Sequence, residues 1–360
     1  MPLPPRCRNG TGPSCSSATT PNHDEDSQKL ADAIIKYAVD RVRLDPPPLD
    51  APKPLSVLRR EVGETITPEG LGAMKALEIF TEKLAPSCIS VDHPLFLSFV
   101  PGAPTESSVL FDLVVAASNI YGGSWLEGAG AVYAENQALQ WLIDLAGLPD
   151  TAGGVFVSGG TAGNLSALIA ARWSWRQHDH EGRQRLRPII IASGGAHSSV
   201  GLAAHAMDAD LVKADVDDTG RLTAYAVRKA FDDLHPDDKS RVAAVVATSG
   251  TTNIGVIDDL DGIGDFAREH GIWFHVDGAY GAAALCAKSV RHLFVGIEKV
   301  DSFIVDPHKW LFGPYAQGRD RLANVLGQSA HRPRADADAL RLDAIAGKYL
   351  MDTPPIALRD

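Results

Sequence analysis

Five apolar runs of the sequence each lead into a short polar segment whose residues could bind or transform a small molecule. The first run leads into Ser158-Gly-Gly-Thr-Ala-Gly-Asn164. Glycines between a strand and a helix let backbone N–H groups approach an anion, and the helix dipole favours negative charge there. The segment therefore indicates a phosphate site, although the same glycines suit an ordinary strand-to-helix turn. Neither a Walker lysine nor G-x-G-x-x-G spacing is present.

The next three runs end in residues that could surround a flat, charged ring. His197 could stack on a ring or carry a proton, or it could simply begin a helix. Ser249-Gly-Thr-Thr-Asn253 is a hydroxyl-rich turn that suits a ligand wall and a capped loop equally. Asp277, followed by small residues, could hold a cationic ring nitrogen or cap a helix.

The fifth run leads into Asp306-Pro-His-Lys309-Trp310. A lysine directly after a buried strand is partly desolvated, which makes its amine a nucleophile for Schiff-base chemistry. The alternative is a surface lysine that extends its charge into water. A pyridoxal phosphate enzyme needs a phosphate cradle, a ring-stacking histidine, an aspartate for the ring nitrogen and a Schiff-base lysine. The combination therefore favours that cofactor over five unrelated structural roles.

These residues require strands and helices that alternate along the chain. The apolar runs predict buried strands at Gly154–Val157, Pro188–Ala192, Val242–Ala247, Ile272–Val276 and Ser302–Val305. Amphipathic stretches predict helices near 161–178, 198–207, 222–234 and 260–270. Such a pattern indicates an α/β fold with a mainly parallel central sheet and helices on both faces. Ligand sites in such sheets gather at the carboxyl ends of the strands.

The two ends of the chain differ from this middle part. Residues 1–26 are rich in Pro, Ser, Thr and Asn, and we expect a disordered tail. Ser27 is a candidate N-cap for a first helix. The proline-rich run over 45–54 must be extended, and the pattern of residues 68–85 predicts a second helix. Residues 27–95 therefore indicate a helical arm. The last 45 residues show no strand pattern.

The composition excludes several classes of protein. With 45% apolar and 22% charged residues, the 360-residue chain can bury a sizeable core. A formal net charge of −11 disfavours nucleic-acid binding. We expect no membrane contact, because no run of 18 apolar residues and no apolar leader is present. The 4 scattered cysteines indicate neither a disulfide framework nor a zinc cluster, and the 12 histidines form no ligand pair at zinc spacing. We therefore expect a cytoplasmic protein without a metal.

Several motifs in order and spacing resemble the group II pyridoxal-phosphate-dependent amino-acid decarboxylases, which include aromatic-amino-acid, glutamate and diaminobutyrate decarboxylases. The matching segments are His93-Pro-Leu-Phe-Leu-Ser-Phe, Ser158-Gly-Gly-Thr-Ala-Gly-Asn, Ala196-His-Ser-Ser, Gly250-Thr-Thr, His275-Val-Asp-Gly-Ala-Tyr and Asp306-Pro-His-Lys-Trp. The resemblance covers roughly residues 30–315. It implies fold type I, the aspartate-aminotransferase-like architecture, with a cofactor-binding large domain over 96–315.

The resemblance also implies roles for individual residues. Lys309 corresponds to the lysine that holds pyridoxal 5'-phosphate as a Schiff base, Asp277 to the partner of the ring nitrogen, and His197 to the stacked histidine. The remaining cofactor contacts it implies are Gly160, Thr161, Thr252, Ala279, Asp306 and His308. The implied reaction is loss of CO₂ from an L-amino acid to give the amine.

The implied substrate wall includes His93, Phe96 and Phe99. The two phenylalanines are compatible with a bulky or aromatic substrate and equally with ordinary core packing. The family forms homodimers in which the arm wraps the partner subunit, so we expect a homodimer.

The resemblance ends after Tyr315, because the following Ala316-Gln-Gly-Arg-Asp-Arg is charged where the family continues with a buried strand. We therefore expect residues 316–360 to form an atypical tail and the small C-terminal domain to be largely missing, as an altered reading frame would produce. The alternatives are another pyridoxal phosphate lyase, an aminotransferase and an inactive cofactor-binding protein.

Overall fold

The computed structural model describes residues 25–68, 70–100, 102–178, 182–314 and 330–331. The chain divides into two compact units, Met1–Ser90 and Val91–Asp360. The tail expected over residues 1–26 lies outside the described residues except for Glu25 and Asp26, which are helical. The tail expected over 316–360 lies outside them except for two residues.

The first unit is helical in its described part. Its α-helices are α1 (Glu25–Val42), α2 (Leu55–Val62) and α3 (Ala73–Ile79). The expectation that Ser27 caps the first helix is wrong, because α1 already begins at Glu25 and the helix dipole favours its acidic first turn. The helix expected over 68–85 is regular only within α3. Gly72, with φ of 76°, delays its start, and a π turn over Phe80–Leu84 follows it.

The described part of the second unit contains a sheet flanked by helices. Its strands are β1 (Gly153–Gly154), β2 (Ile189–Ser193), β3 (Asp210–Ala214), β4 (Val242–Thr248), β5 (Trp273–Asp277), β6 (Ser302–Ile304) and β7 (Ala330–His331). Its α-helices are α4 (Glu106–Ser118), α5 (Trp125–Ala146), α6 (Gly160–Gln177), α7 (Ser198–Ala206), α8 (Ala224–Asp232), α9 (Pro236–Lys239) and α10 (Leu260–His270).

The sheet has the strand order β1-β7-β6-β5-β4-β2-β3. Strands β3, β2, β4, β5 and β6 are parallel to one another, and β7 is antiparallel to both β6 and β1. The expectation of a mainly parallel sheet is therefore confirmed. The register pairs Asp277 with Thr248 on one side and with Ile304 on the other. The carboxyl ends of β4, β5 and β6 thus lie side by side.

Two hydrophobic clusters hold the helices against opposite faces of this sheet. Val245 and Phe274 belong to the cluster that includes side chains of α5, α8 and α10. Ala244 and Trp273, one position earlier in each strand, belong to the cluster with α6 and α7. Alternate residues of a strand face opposite sides, so both faces are covered as expected from the continuous apolar runs.

Three details of the sheet differ from the expectation. The strand expected over 154–157 reaches only Gly154, because the N–H of Phe156 donates to Glu135 Oε1 (3.2 Å) instead of to a neighbouring strand. Strand β3 escaped sequence analysis because it is an edge strand with mostly half-exposed side chains. The expectation of no strand in the last 45 residues is wrong at β7, which is only 2 residues long and leaves no pattern.

Two kinds of feature are absent from the described residues. No helix there is long and apolar enough to cross a membrane. No group of three or more His, Cys, Asp or Glu side chains there is arranged to hold a metal ion.

Candidate active site

Asp277 ends the central strand β5 and is almost completely buried, with 4% of its surface exposed. Its Oδ1 accepts the backbone N–H of Ala279 (3.1 Å), and its Oδ2 accepts the side-chain amide of Asn164 (2.8 Å). These two bonds fix both carboxylate oxygens. The carboxylate is therefore a rigid acceptor at the carboxyl edge of the sheet.

The N-terminus of α6 packs against the same edge. Gly159 precedes the helix with φ of 122°, a conformation that glycine adopts far more readily than other residues. A Cβ on Gly160 would lie 3.0 Å from Asp306 Oδ2 and 3.2 Å from the Cβ of Ala279. A side chain at this position would require Asp306 or Ala279 to shift by a few tenths of an ångström. Thr161, the next residue, is exposed in the first turn, where α-helical N–H groups have no partner within the helix.

Lys309 lies in the turn that follows β6, with its side chain 21% exposed. Its Nζ forms an ion pair with Asp306 Oδ2 (2.9 Å), and its backbone N–H donates to the carbonyl of Asp306 (3.1 Å). Asp306 is 3% exposed, and its N–H donates to the carbonyl of Ala279 (3.0 Å). Its other carboxylate oxygen, Oδ1, is buried without a hydrogen-bond partner. Burial lowers the pKa of His308, and the Asp306 charge opposes this shift.

His197 forms the N-cap of α7 and is exposed. Its Nδ1 accepts the backbone N–H of Ser199 (3.2 Å) and lies 2.8 Å from the Ser199 hydroxyl. The Ser199 hydroxyl in turn accepts the amide of Asn164 (2.8 Å). One side chain, Asn164, therefore connects His197 with Asp277. Sequence analysis missed Asn164 as a site residue, although its place four residues after Gly160 puts both on one face of α6.

The structure thus brings Gly160, Ala279, Asp306, Lys309 and Asp277 into one connected group. Thr252 is exposed in the turn after β4, whereas its neighbour Thr251 is 5% exposed and accepts the N–H of Val256 (3.2 Å). The sequence gives no means of telling these two threonines apart.

The segment that carries His93, Phe96 and Phe99 is followed by Gly102, which contacts the site. The N–H of Gly102 donates to the carbonyl of His308 (3.3 Å). The rings of Phe96 and Phe99 are 6.2 Å apart, Phe96 is half-buried and Phe99 is 81% exposed. Phe99 is therefore not a core residue in this chain, which removes one of the two alternatives for it.

Comparison with known proteins gives a consistent result. A model of the pyridoxal-dependent decarboxylase conserved domain matches residues 63–317. The chain is 31% identical over 298 residues to the aromatic-L-amino-acid decarboxylase of Bacillus atrophaeus, covering 82% of this chain and 61% of that protein. It is 32% identical over 262 residues to the L-2,4-diaminobutyrate decarboxylase of Rhizobium meliloti (strain 1021), covering 70% and 51%. The chain thus spans little more than half the length of these curated relatives.

Solved structures share the fold. The structure of Oryza sativa TDC with PLP and tryptamine has a TM-score of 0.76 at 21% identity, covering 91% of this chain and 69% of that chain. Catharanthus roseus tryptophan decarboxylase in complex with L-tryptophan has a TM-score of 0.73 at 24% identity, covering 87% and 67%. At such low identity the likeness shows the fold alone, and it confirms the expected fold type I.

Proposed function

The chain belongs to the pyridoxal-dependent decarboxylase family, and from that premise we propose that it converts an L-amino acid to its amine and CO₂ with pyridoxal 5'-phosphate. One observation carries the proposal: a lysine, a buried carboxylate and a glycine-opened helix N-terminus meet at one edge of the sheet. Lys309 and Gly160 both contact or closely approach Asp306, and Ala279 connects Asp306 with Asp277.

The side chains at this edge fit the cofactor. Gly160 keeps the α6 N-terminus free of a Cβ that would run into Asp306 and Ala279. A helix N-terminus opened in this way suits a phosphate group. The Asp277 carboxylate can accept only hydrogen bonds, so it suits a protonated ring nitrogen. The amine of Lys309 suits the aldehyde carbon of the cofactor.

Bound pyridoxal phosphate accepts the electron pair that is released when the bond from Cα to the carboxylate breaks. Lys309 would hold the cofactor through Nζ. Asp277 would keep the ring nitrogen protonated, which would make the ring a stronger electron acceptor. His197 would face the ring, and its Nε2 carries a proton because its Nδ1 accepts the backbone N–H of Ser199.

The remaining residues position the cofactor. We assign the phosphate to the backbone of Gly160 and Thr161 at the start of α6, with His308 and Asp306 beside it. Thr252 and Ala279 line the ring. Lys309 Nζ lies 2.9 Å from Asp306 Oδ2, so a covalent bond at Nζ would change this ion pair.

The substrate proposed here has an aromatic or similarly bulky side chain. His93, Phe96 and Phe99 form the proposed wall, and the two rings lie 6.2 Å apart with Phe99 exposed. Exposed aromatic rings offer apolar area and ring-to-ring contact to an aromatic substrate. Similarity to the aromatic-amino-acid decarboxylase of Bacillus atrophaeus supports the same class.

A homodimer is the proposed assembly, with a second copy covering apolar side chains of α4, α5 and the loop between them. Phe111 is 66% exposed, Tyr121 69%, Leu126 87% and Tyr133 54%. An exposed apolar group of this kind is typical of an interaction surface. Light scattering should give twice the chain mass, and Leu126→Asp should give a monomer. We also propose a cytoplasmic location, which the scarcity of cysteine supports.

The test of the function starts with the absorption spectrum of the purified chain mixed with pyridoxal phosphate. We expect a visible band that borohydride reduction fixes on Lys309, as located by peptide mapping. Lys309→Ala should lose the band. Lys288→Ala is the matched control, because Lys288 is an exposed lysine outside the site, and it should keep the band.

The reaction is then followed with aromatic amino acids, L-glutamate and L-2,4-diaminobutyrate, and both CO₂ and keto acid are measured. Release of CO₂ with the matching amine supports the proposal. Keto acid without CO₂ would identify an aminotransferase instead, and a Lys309 band without any product would identify a cofactor-binding protein without turnover.

A further inference from the structure

A buried hydrogen-bonded chain runs behind Asp277. The indole Nε1 of Trp273 donates to Ser302 Oγ (2.9 Å), which lies 2.8 Å from Nδ1 of His275. Nε2 of His275 lies 2.8 Å from Asn164 Oδ1, and the Asn164 amide donates to Asp277 Oδ2 (2.8 Å). None of these side chains has more than 4% of its surface exposed. The function proposed above uses only the last of them.

The direction of the bonds in this chain is fixed from its carboxylate end. An indole N–H can only donate, so Ser302 Oγ accepts from Trp273 and keeps one proton that it can donate to His275 Nδ1. At the other end a carboxylate can only accept, so the NH₂ group of Asn164 faces Asp277 and its oxygen faces His275. The Asn164 end therefore requires His275 to carry its proton on Nε2, and Nδ1 then accepts the Ser302 hydroxyl proton.

His275 stays neutral in this position. Complete burial lowers its pKa well below the ordinary range, and the Asp277 charge opposes the shift only in part. A neutral imidazole with one donor and one acceptor matches the chain, whereas a doubly protonated ring would present a donor to Ser302 as well. The Asn164 orientation is thus held by a partner whose own protonation is fixed.

The second proton of the Asn164 amide extends the arrangement to His197. It donates to Ser199 Oγ (2.8 Å), whose own proton then goes to His197 Nδ1 (2.8 Å). One amide therefore orients the carboxylate below the proposed ring nitrogen and, through the Ser199 hydroxyl, supports the histidine on the proposed ring face, whose tautomer is set by the backbone N–H of Ser199. No other side chain in the described part of the site bonds both branches.

We propose that Asn164, held by His275, is a positioning residue that aims the Asp277 carboxylate at the cofactor ring nitrogen and supports His197 through the Ser199 hydroxyl. The inference rests on the proposed function, because it concerns the same cofactor site. Asn164 touches neither the reacting atoms nor the substrate in this scheme. Its effect should therefore depend on the ring nitrogen, which gives a test that loss of general stability would not mimic.

The test compares dissociation constants for pyridoxal phosphate and for 1-deazapyridoxal phosphate, an analogue with carbon in place of the ring nitrogen. We expect the chain to prefer pyridoxal phosphate by at least about tenfold, which corresponds to about 1.4 kcal/mol. Asn164→Leu should reduce that preference to less than about threefold while changing the affinity for the analogue little. As a reference, Asp277→Asn should remove the preference for pyridoxal phosphate over the analogue.

Trp175→Phe is the matched control. Trp175 also lies on α6, and its substitution removes one partly buried hydrogen bond, from the indole to the carbonyl of Ser240 (2.9 Å). Trp175 has no part in the hydrogen-bonded chain behind Asp277. It should keep the preference. If Asn164→Leu keeps the preference of the unaltered chain, the positioning role is wrong.

A second measurement needs no cofactor and is read on the unaltered chain, with one variant used only for assignment. In the ¹⁵N NMR spectrum of the unloaded chain, with His275→Gln used for assignment, the His275 ring should carry its proton on Nε2. A proton on Nδ1 would overturn the inference even if the proposed function holds. Failure of the chain to form a Lys309 adduct would overturn the proposed function and the inference with it. Adduct formation without any preference over the analogue would overturn the inference alone.

Discussion

Unlike most carboxylates, Asp258 should stabilise the folded chain more when it is protonated than when it is charged. Asp258 is 1% exposed, and its carboxylate accepts the N–H groups of Thr248 (2.6 Å) and Leu222 (2.8 Å). Burial raises its pKa from 3.8 to about 6, although the two N–H bonds oppose the shift. The folded chain therefore binds this proton more tightly than the unfolded chain does.

The magnitude follows from the shift. One pKa unit corresponds to about 1.4 kcal/mol, so a shift of about two units corresponds to about 3 kcal/mol. Because the folded pKa is the higher one, the stability is present below the unfolded pKa and is lost as the pH rises through 6. Between pH 4 and pH 7.5 the free energy of unfolding should fall by about 2–3 kcal/mol through Asp258 alone.

Asp258→Asn isolates this contribution, because an amide resembles the protonated carboxyl group and does not titrate. Urea denaturation of both proteins at several pH values, followed by circular dichroism, gives the difference in their free energy of unfolding. Titration of all other groups cancels in that difference. We expect the difference to move by about 2–3 kcal/mol in favour of the asparagine variant as the pH rises from 4 to 7.5.

Asp217→Asn provides a control of opposite sign. The hydrogen bonds that Asp217 accepts from Thr219 and Arg221 lower its pKa, so its contribution is lost as the pH falls. The difference between that variant and the unaltered chain should therefore move in the other direction. A pH-independent difference for Asp258→Asn would refute the argument that burial governs this carboxylate.

Three further predictions concern packing and surface charge. Gly281→Ala should lower the thermal midpoint by several degrees, because its Cβ would lie 2.1 Å from the backbone oxygen of Ser249; an unchanged midpoint would show that the turn relaxes freely. Phe266→Ala should cost about 3–5 kcal/mol in urea denaturation, because Phe266 is 1% exposed in the main cluster, and a loss near zero would contradict that packing. Lys229→Gln should leave the urea midpoint unchanged, because the pair with Asp233 is exposed, whereas a clear decrease would contradict the weak-pair argument.

The sequence allowed prediction of the elements whose signal is local. The continuous apolar runs located β2, β4, β5 and β6 to within one residue at either end, because buried parallel strands need apolar side chains on both faces. The strand order and register depend on pairing between distant segments, which leaves no local pattern. Strand β3 escaped because its half-exposed side chains form no apolar run, and the strand expected over 154–157 is confirmed only at Gly154 in β1.

The candidate site divides in a similar way. The strand-end rule placed Asp277 and Lys309 at one edge, since both follow apolar runs. The chain through His275 and Asn164 joins positions 111 residues apart, and no spacing rule connects them. A histidine inside an otherwise apolar strand was the available signal, because a buried imidazole must find partners for its ring nitrogens.

Asp258 and Asp277 show why burial and hydrogen bonding of a carboxylate do not by themselves identify a functional group. Both lie at the carboxyl edge of the sheet, and in both each oxygen accepts one N–H group. The donors of Asp258 are two backbone N–H groups, which fix the loop after β4 to the end of that strand and to the segment before α8. One donor of Asp277 is the amide of Asn164, whose other bonds reach His275 and, through Ser199, the exposed His197. The carboxylate that is connected to an exposed ring and to the glycine-opened end of α6 is the one suited to bind a ligand, and the other holds the fold.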